Sequence, residues 1–245
     1  MTAEPAASRM GETDGSGGKW ARLAERISNA FGLLLLLLVA TYVLASLTSF
    51  GGWSAVGVLA LGCTAAAVGL ASAGAGTVIV RVAAALAAGS VTLAVLAELS
   101  GERVFLAVAA LTQALLLASA AAAVLRSVLG ALEVSFRTIL GAISVYMILG
   151  LLFTSLYVAI DRLQAGRFFS IGEPQTGDFI FFSFTTLTTT GYGNLVPDGQ
   201  PGKMFAGLEM LVGQIFLVTL IAGLVSLWRP RRRGEGRGLS SDAKS

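Results

Sequence analysis

The residues best placed to do chemistry lie in one short run, Thr185-Thr186-Leu187-Thr188-Thr189-Thr190-Gly191-Tyr192-Gly193-Asn194, where hydroxyls and glycines replace an otherwise apolar sequence. Just before it, Asp178 begins a stretch rich in phenylalanine that reads as a helix from 178 to 188, with Asp178 as its N-cap. About 11 residues at 1.5 Å each is roughly half the distance across a bilayer core. Such a helix dips into a membrane and returns. Non-helical backbone at that depth is tolerated only where protein buries it or water lines it, so the Thr/Gly strand is a candidate pore lining. Other chemistry is scarce. With no histidine and the lone Cys63, soft-metal clusters, disulfide frameworks and imidazole acid/base catalysis have no residues to use. An enzyme is not expected, nor a cofactor, nor a nucleic-acid partner. Glu209 is the only acid well inside an apolar run, and an intramembrane carboxylate is a functional candidate by default.

The elements around this run follow from composition. The chain has 245 residues, 55% hydrophobic and 13% charged, with a mean hydropathy of +0.80; a soluble domain carries roughly twice that charge. Apolar runs at 30–48, 55–73, 82–99, 104–125, 138–160 and 204–228 are each long enough to span a bilayer. The expected fold is therefore an all-α membrane protein of six transmembrane helices with a re-entrant helix and strand between the fifth and sixth. Residues 1–26 form a polar tail and an interfacial lead-in around Lys19, Arg22 and Arg26, and no cleaved leader is expected. Residues 27–125 hold four peripheral spans, 126–137 a cytoplasmic linker helix carrying Val128, Leu129, Leu132 and Phe136, 138–228 the remaining two spans with the short helix, and 229–245 a basic tail.

Placing both termini in the cytoplasm leaves only Arg103, Arg162, Arg167 and Lys203 outside, so 13 of 17 basic residues lie inside, as the positive-inside rule asks of a multi-pass cell-membrane protein. Trp20, Trp53 and Trp228 fall at span ends, where indole rings favour the headgroup region. Arg229-Pro230-Arg231-Arg232-Arg233 ends the sixth span and is a candidate contact for anionic lipid. No ligand-binding domain is expected after Arg237. Helix four carries no charge between Arg103 and Arg126, unlike the repeated arginines of a voltage sensor. Cys63 reads as a small packing residue among the dense Ala, Gly and Ser of the peripheral spans.

Thr189-Thr190-Gly191-Tyr192-Gly193 resembles the TVGYG selectivity filter of potassium channels, and the run from Thr185 to Pro197 is similar to the filter region of bacterial two-helix-per-pore channels. The resemblance covers roughly 137–228. It implies a homotetramer in which the carbonyls of Thr189, Thr190, Gly191 and Tyr192, with the Thr189 hydroxyl, coordinate K+ as the permeant ion. Gly191 and Gly193 suit that role because they reach backbone angles closed to other residues. Tyr192 would point away from the pore and brace the strand, and the short helix would aim its partially negative C-terminal end at the central cavity.

Two positions depart from the family pattern. Thr190 stands where valine is usual, and Asn194 replaces an aspartate held in relatives by an acid and an aromatic donor; Thr185 and Phe181 occupy the corresponding positions. Thr185, Thr188, Asn194 and Glu209 are the candidate filter supports, with a differently tuned filter and potassium preference retained. Gly213, 19 residues after Asn194, is either the family's inner-helix hinge or a glycine for close packing. Gln214, Val218, Ile221 and Val225 are candidate cavity residues. The alternatives are a non-selective cation channel of the same architecture and a non-conducting membrane scaffold or sensor. A transporter subunit built of four fused pore repeats would need four such strands per chain, and one is present.

Overall fold

The computed structural model describes residues 15–47, 52–131, 135–170, 172 and 174–227. The tail 1–14, Leu132 and Glu133, Trp228 and the basic segment from Arg229 lie outside the described residues, as do the side chains of Trp20 and Val225. Seven helices follow in order: α1 (Gly15–Leu47), α2 (Gly52–Ser72), α3 (Thr77–Ser100), α4 (Arg103–Leu129), α5 (Phe136–Leu163), α6 (Thr176–Leu187) and α7 (Gln200–Leu227). Six contain segments long and apolar enough to cross a membrane, and α6 is the short one between the last two. The all-α membrane architecture is as expected. The only extended pairing among the described residues is an isolated bridge between Phe169 and Pro197.

The lead-in before residue 30 is continuous with the first span, because α1 runs unbroken from Gly15. Among the described residues of 126–137, one helix ends and another begins. Val128 and Leu129 complete α4, Gly130 caps it with its N–H on the Arg126 carbonyl, and Ser135 caps α5, accepting from the Thr138 N–H at 3.3 Å. Of the periodic apolar residues of that segment, Val128 at the end of α4 packs against the core, while Leu129 and Phe136 are exposed.

Small residues let the peripheral helices approach closely. The Ser90 hydroxyl of α3 donates across to the Ala109 carbonyl of α4 at 2.8 Å, and Cys63 is buried in the same apolar cluster as Ala65, Ala66 and Leu117. α4 packs along α5, α1 packs against α5 and α6, and α7 packs against α5 and α6. The short helix is thus enclosed by α1, α5 and α7. Gly150 on α5 makes one of these approaches possible: a Cβ there would lie 2.6 Å from the Phe184 ring of α6, whose other side meets Tyr42 of α1 edge-on at 4.9 Å. Gly150→Ala is expected to destabilise the protein by about 1–3 kcal/mol through overpacking, read as a lowered melting midpoint in detergent.

Candidate functional site

The site is built on α6. Its N-cap is Gln175, and Asp178 sits three residues in, where its carboxylate accepts the Gln175 backbone N–H at 2.8 Å. The expected N-cap at Asp178 is therefore corrected by one helical turn, with the acid still beside the positive end of the helix. Phe179 and Phe182 enter an aromatic cluster with Phe153, Tyr157, Phe168 and Phe169. That cluster fixes the N-terminal part of the half-helix, while Leu187 is buried at its other end.

After Leu187 the chain leaves the helix through a turn. The Thr189 N–H bonds the Thr186 carbonyl at 2.9 Å, and the Thr190 and Gly191 N–H groups both bond the Thr185 carbonyl, at 2.8 and 3.1 Å. The free carbonyls at the C-terminal end of α6 are thus used to start the strand. Thr189 (φ 56°), Gly191 (φ 51°) and Gly193 (φ 79°) all lie in the left-handed region. Gly191 and Gly193 adopt it freely, whereas the β-branched Thr189 is held there by the surrounding bonds. Of the expected supports, Thr188 places its hydroxyl 2.9 Å from that of Thr190, and donates to the Phe184 carbonyl. Thr185 acts through its carbonyl, while its hydroxyl returns to Phe182 of its own helix. The Tyr192 ring stacks on Phe181 at 5.6 Å and 18° between planes.

Residues 188–194 are all exposed in the single chain. Asn194 lies in this exposed stretch, with no hydrogen bond to Thr185, Thr188 or Glu209 among the described residues. The strand is anchored again beyond it: the Ser170 N–H and hydroxyl bond the Val196 carbonyl, and the Asp198 N–H bonds the Phe168 carbonyl at 2.8 Å.

Glu209 is completely buried. Its Oε2 accepts from the Tyr157 hydroxyl at 2.5 Å, and its Oε1 is 2.5 Å from Ser183 Oγ, so one carboxyl group joins α5, α6 and α7. It makes no direct bond to residues 189–193; its hold on the strand passes through α6. Tyr157 and Ser183 are the partners that sequence reasoning missed. The available signal was weak, a phenol and a hydroxyl in otherwise apolar helices.

Gly213 lies one turn beyond Glu209. A Cβ there would overlap the Leu187 carbonyl oxygen and come within 2.8 Å of Leu187 Cδ1. The same carbonyl accepts from the Tyr146 hydroxyl at 3.2 Å. Of the two readings of Gly213, close packing thus has a visible cause, and α7 is helical through it. Further along, Gln214, Val218 and Ile221 are exposed in the single chain, as are the large apolar side chains of Leu211 and Ile215.

No curated protein and no solved structure matches the chain. A family model does match, over residues 141–229, and its description is ion channel. That interval takes in most of α5, all of α6, the Thr/Gly strand and α7. The half-helix, the strand hung from its end and the two long helices enclosing them make residues 141–229 a two-helix ion channel domain of this family, preceded in the chain by further apolar helices.

Proposed function

We propose that the protein is a potassium-selective channel in which four copies close a ring of Thr189–Gly193 strands, conducting K+ passively. The observation that carries this reading is the strand itself. In an ion channel domain it hangs from the C-terminal end of a buried half-helix, with left-handed backbone at Gly191 and Gly193, and it is exposed along its whole length in one chain. A cation leaving water needs oxygen ligands in place of its hydration shell, and rings of backbone carbonyls supply them. The carbonyls of Thr189, Thr190, Gly191 and Tyr192 with the Thr189 hydroxyl are the proposed ligands. One chain has one such strand, so the ring needs four copies in closed symmetry.

The exposed apolar side chains of α7 favour assembly, because they are available to neighbouring copies as well as to lipid. The Thr188–Thr190 hydroxyl contact and the Tyr192–Phe181 stack serve as the brace behind the strand, in place of the acid and aromatic donor of relatives. Cell-membrane placement with both termini inside, and contact of the basic tail with anionic lipid, complete the proposal; the distribution of basic residues supports them. Gating by a standard voltage sensor is not proposed, since α4 carries no arginine between its two ends.

The test is ion flux in liposomes containing the purified protein. Potassium flux blocked by barium is expected, with a reversal potential that follows the potassium gradient and not the sodium gradient. Tyr192→Ala, which removes the stack on Phe181, is expected to reduce flux or selectivity. Equal permeability to sodium and potassium would replace this reading with a non-selective channel, and absence of flux with a scaffold.

A further inference from the structure

Ser183 Oγ lies 2.5 Å from Glu209 Oε1 and 2.7 Å from the Gly150 carbonyl oxygen. The Tyr157 hydroxyl lies 2.5 Å from Glu209 Oε2. These are three short oxygen–oxygen contacts, and the two hydroxyls bring two protons. The Tyr157 proton serves its own contact. A carbonyl oxygen never carries a proton, so the Ser183–Gly150 contact must use the serine's. The third contact, Oε1 to Oγ, then has a proton of its own only if Glu209 supplies it. With an ionised carboxylate, the single Ser183 proton would have to be shared between two acceptors, a weaker arrangement for two contacts this short.

The surroundings agree. Glu209 has no exposed surface, and the ion pair found among the described residues, Arg162–Asp161, does not include it. From α5 it is faced by the phenols of Tyr157 and Tyr146. From α6 it meets Ser183, and no charged group from α6 or α7 acts on it. An unpaired buried carboxylate would be costly in such a place, whereas a neutral acid fully used as donor and acceptor is not.

We infer that Glu209 is a protonated carboxylic acid that donates to Ser183, so that a chain of hydrogen bonds from Tyr157 through Glu209 and Ser183 to Gly150 latches α6 between α5 and α7. Glu209 is a positioning residue in this arrangement: it sets where the C-terminal end of α6 presents the strand. That bearing on the strand rests on the channel proposed above; the proton itself does not.

Infrared difference spectroscopy of the reconstituted protein at neutral pH, wild type minus Glu209→Gln, reads the proton directly. A carboxylic-acid carbonyl band should be lost in the variant, sensitive to deuterium exchange, with no loss of carboxylate bands. Loss of carboxylate bands instead would overturn the inference. Should Glu209→Gln fail to assemble, Ser183→Ala and Tyr157→Phe must each shift the acid band, and an unshifted band in both overturns the latch. Glu209→Gln keeps one acceptor for Tyr157 and one donor for Ser183, so it should hold the wild-type melting midpoint. Glu209→Leu, of similar size, should lower the midpoint and reduce any flux by roughly tenfold or more, the effect of leaving the buried Tyr157 hydroxyl unpartnered and of cutting the link between α6 and α7. Equal melting midpoints for the Gln and Leu variants would also overturn the latch. If no variant and no wild type conducts, the channel reading fails while the spectra and midpoints still decide the proton.

Discussion

Gly213→Ala is expected to lower the stability of the assembled protein by about 1–3 kcal/mol, toward the upper end of the usual range for an overpacked core. The obstacle is mainly backbone. The added methyl meets the Leu187 carbonyl oxygen, which cannot swing aside as a side-chain tip can. Leu187 is itself fully buried and its carbonyl is held by the Tyr146 hydroxyl, so relief requires α6 and α7 to separate. That motion carries the Thr185 and Thr186 carbonyls with it, and those carbonyls hold the N–H groups of Thr189, Thr190 and Gly191. Melting in detergent and flux in liposomes should therefore fall together. Gly207→Ala supplies the control, because it lies on the same helix with open space at its Cβ, where alanine is favoured over glycine by about 0.5–1 kcal/mol. A glycine serving only as a hinge would behave otherwise: Gly213→Ala would leave the melting midpoint in place and change only how often the pore opens.

What the sequence made legible here is what depends on length and local pattern. Six apolar runs become six long helices because a span is recognised by its composition. Their ends reach further than the apolar runs, since a hydrogen-bonded turn continues past the last greasy residue: α3 starts at Thr77, ahead of Arg81, and α5 continues through Asp161 and Arg162 to Leu163. The segment 126–137 shows the same effect. Val128, Leu129 and Phe136 keep a helical spacing, yet Gly130 and Ser135 are stop and start signals, and the apolar faces belong to α4 and α5 separately. The Thr/Gly strand was readable because its chemistry is contiguous. The three-helix junction was not: Glu209 is conspicuous as an acid among apolar residues, but Ser183 and Tyr157 lie 26 and 52 residues from it, and no periodicity links residues so far apart.

These two kinds of residue divide the work of holding the strand. Local bonds from Thr185 and Thr186 set where it leaves α6, and the Phe168–Asp198 and Ser170–Val196 bonds set where it ends. Between those anchors residues 188–194 are exposed in the single chain, which in the channel proposed above leaves them to other copies and to the ion. Of the four peripheral helices, α1 packs directly on α6, and α4 bears on it mainly through α5. A substitution in the strand should therefore act on conduction with little effect on the fold of the chain, unlike one at Gly213, which should lower both.

Gly191→Ala and Gly193→Ala test that division with the largest expected effect on flux. Both glycines have positive φ and open space around the position of a Cβ, so alanine meets no clash within the chain. The cost is conformational, about 1–2 kcal/mol for a left-handed alanine. In the proposed ring of four copies it reaches at least about 4 kcal/mol, roughly a thousandfold in the population of the conducting arrangement. Alanine escapes this strain by turning its peptide, which would rotate a carbonyl off the axis and remove one ring of ligands. The expected result is a variant that inserts, assembles and melts close to wild type but passes little or no potassium. Undiminished, selective potassium flux through either alanine variant would show that the Gly191-Tyr192-Gly193 backbone does not form the ion path. A loss of assembly in step with the loss of flux would mean that the strand helps to hold the four copies together, and the division drawn between Gly213 and the strand would fail.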